Sequence, residues 1–264
     1  MIRGNKWMKG RFGRFLNSFR ETFFASQIDV HIYIDRLSGK RGLEVGGPSR
    51  IFNDSSIMPI YSVIGELDGC NFSETTIWEG CLNEGLNYRY HKNKKQGYQY
   101  ICEATDLSKI NNNVYDFVLA SHILEHTANP LKAIREWTRV LKDGGYILLV
   151  VPLKDKTFDH NRPVTLLQHL IDDYERDVKE DDLTHLPEIL KLHDLKMDAP
   201  AGNAAFFMER SLCNYRNRCL HHHVFDVENI SKLLEFQNLD IISTCFAPPY
   251  HIIVFAEKHS RRLR

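Results

Sequence analysis

No apolar run in this chain approaches the ~20 residues needed to span a bilayer. The longest, Tyr146–Leu153, has the length of a buried strand. Net charge is also lacking, since Lys+Arg and Asp+Glu both count 34. A whole-protein field that would gather nucleic acid is therefore not expected. The six cysteines (Cys70, Cys81, Cys102, Cys213, Cys219 and Cys245) form no C-x-x-C pair, and the Cys213/Cys219 spacing fits no common zinc motif. Reduced thiols and a cytoplasmic location are the economical reading. The amino end has no signal-peptide apolar centre, and there is no internal repeat or low-complexity tract.

What is present divides into four regions. Residues 1–40 are basic and amphipathic, with Arg3, Lys6, Lys9, Arg11, Arg14 and Arg20 among Trp7, Phe12, Phe15, Phe19 and Phe23 at roughly helical spacing. A helix laid on the domain is the first reading. Membrane-surface contact through residues 1–25 and a lid are the alternatives. Residues 41–264 form the main domain, interrupted by a polar, histidine-bearing insertion at 153–222. Strands are expected at Gly42–Val45, Tyr61–Glu66, Tyr98–Cys102, Phe117–Ala120, Tyr146–Val151, Asp240–Phe246 and His251–Ala256, the last two as a hairpin turning at Ala247-Pro248-Pro249-Tyr250. Between Cys70 and Gln99 an irregular helix and a loop are expected. Asn129 and Asp226 are placed to cap helices that begin at Pro130 and Val227, and Asn238 can take the left-handed conformation after the second.

Tyr115–Pro152 is the most legible stretch. It reads as strand, polar loop, amphipathic helix, Asp143-Gly144-Gly145 break and buried strand, one step of a doubly wound α/β sheet. The run Ser121-His122-Ile123-Leu124-Glu125-His126, followed by Arg139-Val140-Leu141-Lys142-Asp143-Gly144-Gly145-Tyr146, resembles class I S-adenosylmethionine-dependent methyltransferases, especially those acting on small molecules. The resemblance implies a Rossmann-like fold with a seven-stranded, mostly parallel sheet and S-adenosyl-L-methionine as cofactor.

Under that resemblance, Glu44-Val45-Gly46-Gly47-Pro48-Ser49 stands where the family opens its cofactor loop. Glu44 and Gly46 match the pattern, Gly47 is the spacer, and Pro48 replaces a second glycine. A carboxylate near the end of the second strand would hold the ribose diol. Asp68 lies about the expected ~20 residues after Gly46, and Glu66 competes with it. Glu103-Ala104 matches the pair that holds the adenine edge. Ser121 and His122 would line the methionine end of the cofactor, while Glu125 and His126 read as helix-packing residues.

Acceptor chemistry is expected in the insertion. His160 has the range to take a hydroxyl proton, with His122 as second candidate. Arg162 suits a carboxylate or phosphate, and His169 and Tyr174 suit a polar substrate. The His221-His222-His223 run does not read as a metal site, because neighbours on a strand face opposite ways, so no metal is expected. The composition of the insertion suits a small, hydroxyl-rich acceptor such as a sugar or surface-glycan precursor. A non-catalytic cofactor-binding subunit remains open, and so does a nicotinamide-dependent dehydrogenase or epimerase, although G-x-G-x-x-G is missing.

Overall fold

The computed structural model describes residues 28–259. The basic stretch expected to be an N-terminal helix lies mostly outside them, as does any membrane contact through it. Among the described residues, the first helix is α1 (His31–Leu37). No helix among them is long and apolar enough to cross a membrane.

The chain next builds β1 (Arg41–Val45), β2 (Glu66–Asn71), a small two-stranded ribbon of β3 (Thr75–Thr76) and β4 (Gly80–Cys81), then β5 (Gly85–Tyr88) and β6 (Gly97–Ile101). The ribbon replaces the irregular helix expected between Cys70 and Gln99. β7 (Tyr115–Ser121), α2 (Pro130–Val140) and β8 (Leu141–Pro152) follow. The insertion carries α3 (Leu167–Glu175), α4 (Leu186–Leu192), α5 (Ala204–Leu212) and α6 (Asn214–Asn217). α7 (Val227–Phe236) leads to the hairpin β9 (Leu239–Ala247) and β10 (His251–Lys258).

The strands form one eight-stranded sheet in the order β5-β6-β2-β1-β7-β8-β10-β9. β6, β2, β1, β7 and β8 run parallel to their neighbours, whereas β10 is antiparallel to β8. Six of the seven expected strands are present close to their expected positions, the second is displaced towards the carboxyl end, and β5 adds an antiparallel edge. Chain order reverses between β1 and β7. In an open parallel sheet, that switch point is where strand ends part and leave a crevice.

Both faces of the sheet are covered. On one side Leu131, Ile134 and Trp137 of α2 and Ile230 and Leu233 of α7 pack on Val118, Leu149 and Val254. On the other, Tyr33 and Leu37 of α1 join Phe52, Met58 and Tyr61 against Phe117, Leu148 and Phe255. Burial on both faces explains why β7 and β8 read as unbroken apolar runs. A smaller core of Leu186, Ile189, Ala201, Phe207 and Leu220 belongs to the insertion.

The caps act as their residue types dictate. Asn129 Oδ1 accepts from Lys132 N at 3.1 Å, with Pro130 at the first helical position. Asp226 Oδ1 accepts from Asn229 N at 2.7 Å. Asn238 has φ +58°.

The second strand departs from expectation. Tyr61–Ile64 is a buried turn rather than a strand, and β2 begins only at Glu66. Asp68-Gly69, which looks like a turn, is inside the strand because the Tyr88 ring occupies the space of a Gly69 side chain. A Cβ there would lie 2.3 Å from Tyr88 Cδ2.

Candidate active site

A cleft of about 830 Å³ opens at the carboxyl ends of β1, β2, β6 and β7, within the size range of small-molecule sites. Its floor follows from the first turn of the chain after β1. Gly46 has φ +79°, and a side chain there would strike Ile123 Cδ1 at 2.0 Å. Only glycine gives the chain this turn and this approach.

Glu44 works from beneath the loop. Its carboxylate is fully buried and accepts from Tyr61 and Tyr88 hydroxyls, both at 2.7 Å, and from Ser49 N at 3.0 Å. Burial raises its pKa, and the tyrosine hydrogen bonds oppose that rise. Gly47 faces Glu44 rather than the cleft, and its carbonyl accepts from Asn71 Nδ2 at 2.9 Å. Gly46, Pro48 and Ser49 line the cleft.

Asp68 does not reach the cleft. It lies within β2, almost fully buried, with its carboxylate bound to Arg41 Nη2 (2.8 Å), Tyr98 N (2.8 Å) and Tyr115 Oη (2.7 Å). The residue at the strand tip is Asn71, which lines the cleft. Trp78 Nε1 lies 3.4 Å from Asn71 Oδ1. Sequence reasoning passed over Asn71 because it looked for a charge; counting to the last residue of the strand would have found it.

Glu103 and Ala104 line the cleft after β6. Both Glu103 oxygens accept from Arg218, at 2.7 and 3.2 Å. Arg218 comes from the insertion, has φ +51°, also pairs with Glu180 at 3.0 Å and lies 4.5 Å over the Phe72 ring. Burial, opposed by Arg218, lifts Glu180 to about 7. Cys70 and Cys102, remote in sequence, bring their sulfurs within 3.4 Å on the same wall.

Ser121 and His122 line the cleft at the end of β7. His122 is held at φ +55°, a conformation that costs a non-glycine residue about 1 kcal/mol or more and clusters at functional sites. Its Nδ1 lies 3.1 Å from Glu125 Oε1 and its Nε2 2.8 Å from His251 Nδ1. With both nitrogens engaged, His122 is poorly placed to take a substrate proton. Burial, then the neighbouring His122, lowers His251 to about 4.

The remaining insertion residues fall elsewhere. His160 sits outside the cleft, paired with Asp194 at 3.0 Å. Arg162 is buried as a structural tie, bound to Asp159, Glu188 and the carbonyls of His221 and His222. His169 points into a separate histidine cluster, and the Arg135 guanidinium lies over the Tyr174 ring at 5.5 Å on the far side of α2. None of these four lines the cleft, because α3 packs along α2 rather than across the strand ends.

His221 takes the place that His160 was expected to fill. It lines the cleft with Nδ1 2.5 Å from Asp159 Oδ2, and its Nε2 has no hydrogen-bond partner among the described residues. Burial disfavours its cation, but Asp159 overrides this and raises its pKa. Asp159 is held at about 2: burial would raise it, and His221 and Arg162 pull it down. The His126 ring stands edge-on to His221 at 4.6 Å. Burial, then His221, lowers His126 to about 4. Glu125 Oε2 is buried without a partner, and Glu125, His126 and His221 each offer a donor atom within 4.8 Å of the others. Asp159 and His221 are far apart in sequence, so only the fold reveals the pair.

The strand order, with its reversal between β1 and β7, and the glycine turn after β1 agree with the Rossmann-like fold that the resemblance to class I S-adenosylmethionine-dependent methyltransferases implies. Residues 69–149 match the family model of a methyltransferase domain. No curated protein sequence matches the chain significantly. Among solved structures it is similar to a SAM-dependent methyltransferase from Methanosarcina mazei, at 16% identity over 87% of this chain and 97% of that one, TM-score 0.47. It is also similar to the 1,6-didemethyltoxoflavin-N1-methyltransferase of Burkholderia thailandensis, which holds 1,6-didemethyltoxoflavin and S-adenosylhomocysteine. That pair shares 10% identity over 98% and 94% of the two chains, TM-score 0.47. A SAM-dependent methyltransferase from Aquifex aeolicus shares 12% identity over 91% and 97%, TM-score 0.44.

Proposed function

We propose that the enzyme transfers a methyl group to a hydroxyl of a small polar acceptor, a sugar or surface-glycan precursor being the class that suits the cleft best. The observation that carries this reading is the Asp159–His221 pair opening on the same cleft as the cofactor loops. A hydroxyl is a weak nucleophile until its proton is taken, and a histidine oriented by a carboxylate is built to take it. A carboxylate acceptor would need no such base.

The residues present fit the cofactor: a glycine turn without a Cβ in the way, an amide oxygen on Asn71 for a diol, and Glu103-Ala104 for the adenine edge. When bound, the cofactor supplies an electrophilic methyl group on a sulfonium. The protein then has to bring the acceptor into line with it and exclude water. Acids and bases nearly balance along the cleft, with Arg50, Arg210 and Arg218 set against Glu79, Glu103, Glu180 and Asp198. That balance favours an uncharged, hydrogen-bonding acceptor over a polyanion.

The test is methyl-labelled cofactor offered with panels of monosaccharides, nucleotide sugars and polyols, alongside carboxylate and amine controls. Transfer to a hydroxyl compound is expected, and His221→Asn should lower kcat by about 10²-fold or more while S-adenosylhomocysteine affinity changes little. Methylation of carboxylates or amines alone would overturn the hydroxyl reading. Tight S-adenosylhomocysteine binding without turnover on any panel would favour a cofactor-binding subunit instead.

A further inference from the structure

Outside the cleft, the insertion holds a second histidine cluster that the methyl-transfer chemistry does not use. His169 and Asp173 stand one turn apart on α3, His185 precedes α4, and His223 lies where the chain returns to the main domain. Their rings or carboxylate converge on one point. His169 Nε2 is 3.1 Å from Asp173 Oδ2 and 3.2 Å from His185 Nε2, and His223 Nε2 is 3.8 Å from Asp173 Oδ2. The three imidazoles are mutually edge-on, with centroids 4.9, 5.2 and 5.9 Å apart.

Hydrogen bonding alone does not satisfy this arrangement. A single imidazole nitrogen carries at most one proton, so His169 Nε2 cannot donate both to Asp173 and to His185. Asp173 is 2% exposed and its Oδ2 makes no hydrogen bond, while the other oxygen is taken by Arg176 at 2.7 Å. His223 is 1% exposed, and its Nε2 lies on the side of that oxygen. Buried polar atoms left this way are costly unless something absent from the protein chain joins them.

We propose that His169, Asp173, His185 and His223 bind one divalent transition-metal ion, Zn²⁺ fitting best. With metal–nitrogen bonds of ~2.0–2.1 Å, tetrahedral donors lie roughly 3.3–3.4 Å apart; His169 Nε2 stands at that spacing from Asp173 and His185, and all four donors lie within 4.8 Å of one another. Three imidazoles and one carboxylate suit zinc rather than calcium or magnesium. Four protein donors make a closed, structural site. His223 Nε2 now faces the Ala128 carbonyl at 3.2 Å, and metal binding moves its proton to the free Nδ1. Arg176 on Asp173, and Asn129 Nδ2 donating to the Asp173 carbonyl at 3.1 Å, hold the carboxylate from behind. The half-exposed His169 leaves a path for the ion to enter.

The consequence is mechanical. The ion would pin α3 and the segment before α4 to the segment at His223 where the chain returns to the main domain, two residues from His221 of the cleft wall.

The test uses the full chain, stripped with a chelator, dialysed and then titrated with ZnCl2 or CoCl2. About one equivalent should bind per chain, Zn²⁺ should raise the thermal midpoint, and Co²⁺ should give the intense visible absorption of a tetrahedral site. His185→Gln should abolish the stoichiometric binding and the thermal shift, with His169→Gln as a second variant should the first fail to fold. His126→Gln, on the cleft cluster, should keep both. Sub-stoichiometric binding with no thermal shift in the wild type would overturn the proposal and leave a hydrogen-bonded histidine cluster only. Loss of the metal in His126→Gln but not in His185→Gln or His169→Gln would also overturn it.

Discussion

Asp68 and Asn71 lie on the same strand and serve different ends. Asp68 is a structural anion that joins Arg41 of β1, the backbone of β6 and Tyr115 of β7. Asn71 is the polar group at the strand's tip, where a ribose diol would lie. Asp68→Asn should therefore lower the unfolding free energy by roughly 1.5–3 kcal/mol for the weakened buried bonds, read as a lower urea midpoint, and leave S-adenosylhomocysteine affinity within about twofold. Asn71→Ala should do the reverse, weakening that affinity about tenfold, one good hydrogen bond's worth. Calorimetry on the two variants separates the roles; a large affinity loss in Asp68→Asn alone would restore the carboxylate to the site. Sequence reasoning chose Asp68 because charge and interval favoured it. It had no means of knowing that Tyr88 would hold Gly69 inside a strand and so carry the tip three residues further on.

At the scale of elements, local chemistry was legible wherever it acts locally. Asn129-Pro130 starts α2, Asp226 caps α7, and the Pro-rich turn joins β9 to β10. Asp226→Ala should cost about 1 kcal/mol, a fall of about 2–4 °C in thermal midpoint for a domain of this size. An unchanged midpoint in a scanning calorimeter would mean that packing of Leu233 and Leu234, not the cap, sets the stability of this helix. What sequence could not show were the elements set by distant partners. Tyr61–Ile64 has the composition of a strand but fills the core beneath Glu44 instead. The insertion was recognised as polar and histidine-rich, yet which histidine faced the cleft depended on how α3 lies against α2. His160, with an acid and an arginine close by in sequence, looked the better base; His221 gained that place through Asp159.

For the molecule as a whole, histidine governs the response to acid. His126 and His251 are held at about 4 by burial and neighbouring imidazoles, against ~6.5 in an unfolded chain. Between those values the unfolded state takes up protons that the folded state refuses. The contribution of these two histidines is thus fully present above pH 6.5 and lost as pH falls toward 4, and Glu180, raised to about 7, opposes it over part of that window. Urea midpoints should fall across that window, and His251→Asn should flatten the slope; an undiminished slope in that variant would assign the loss to other groups. Fold class and the glycine turn after β1 were readable because they follow from periodicity and glycine chemistry along the chain. The acceptor side was not, because it is assembled from residues between 159 and 221 that meet only in space. One bond there has a consequence for anyone wishing to exchange the insertion. Arg218 reaches from the insertion to grip Glu103, where the chain leaves β6 on the cleft wall. A chimaera that inherits another relative's insertion would lose that grip, so under the proposed function retuning the choice of acceptor would bring a change in cofactor retention with it.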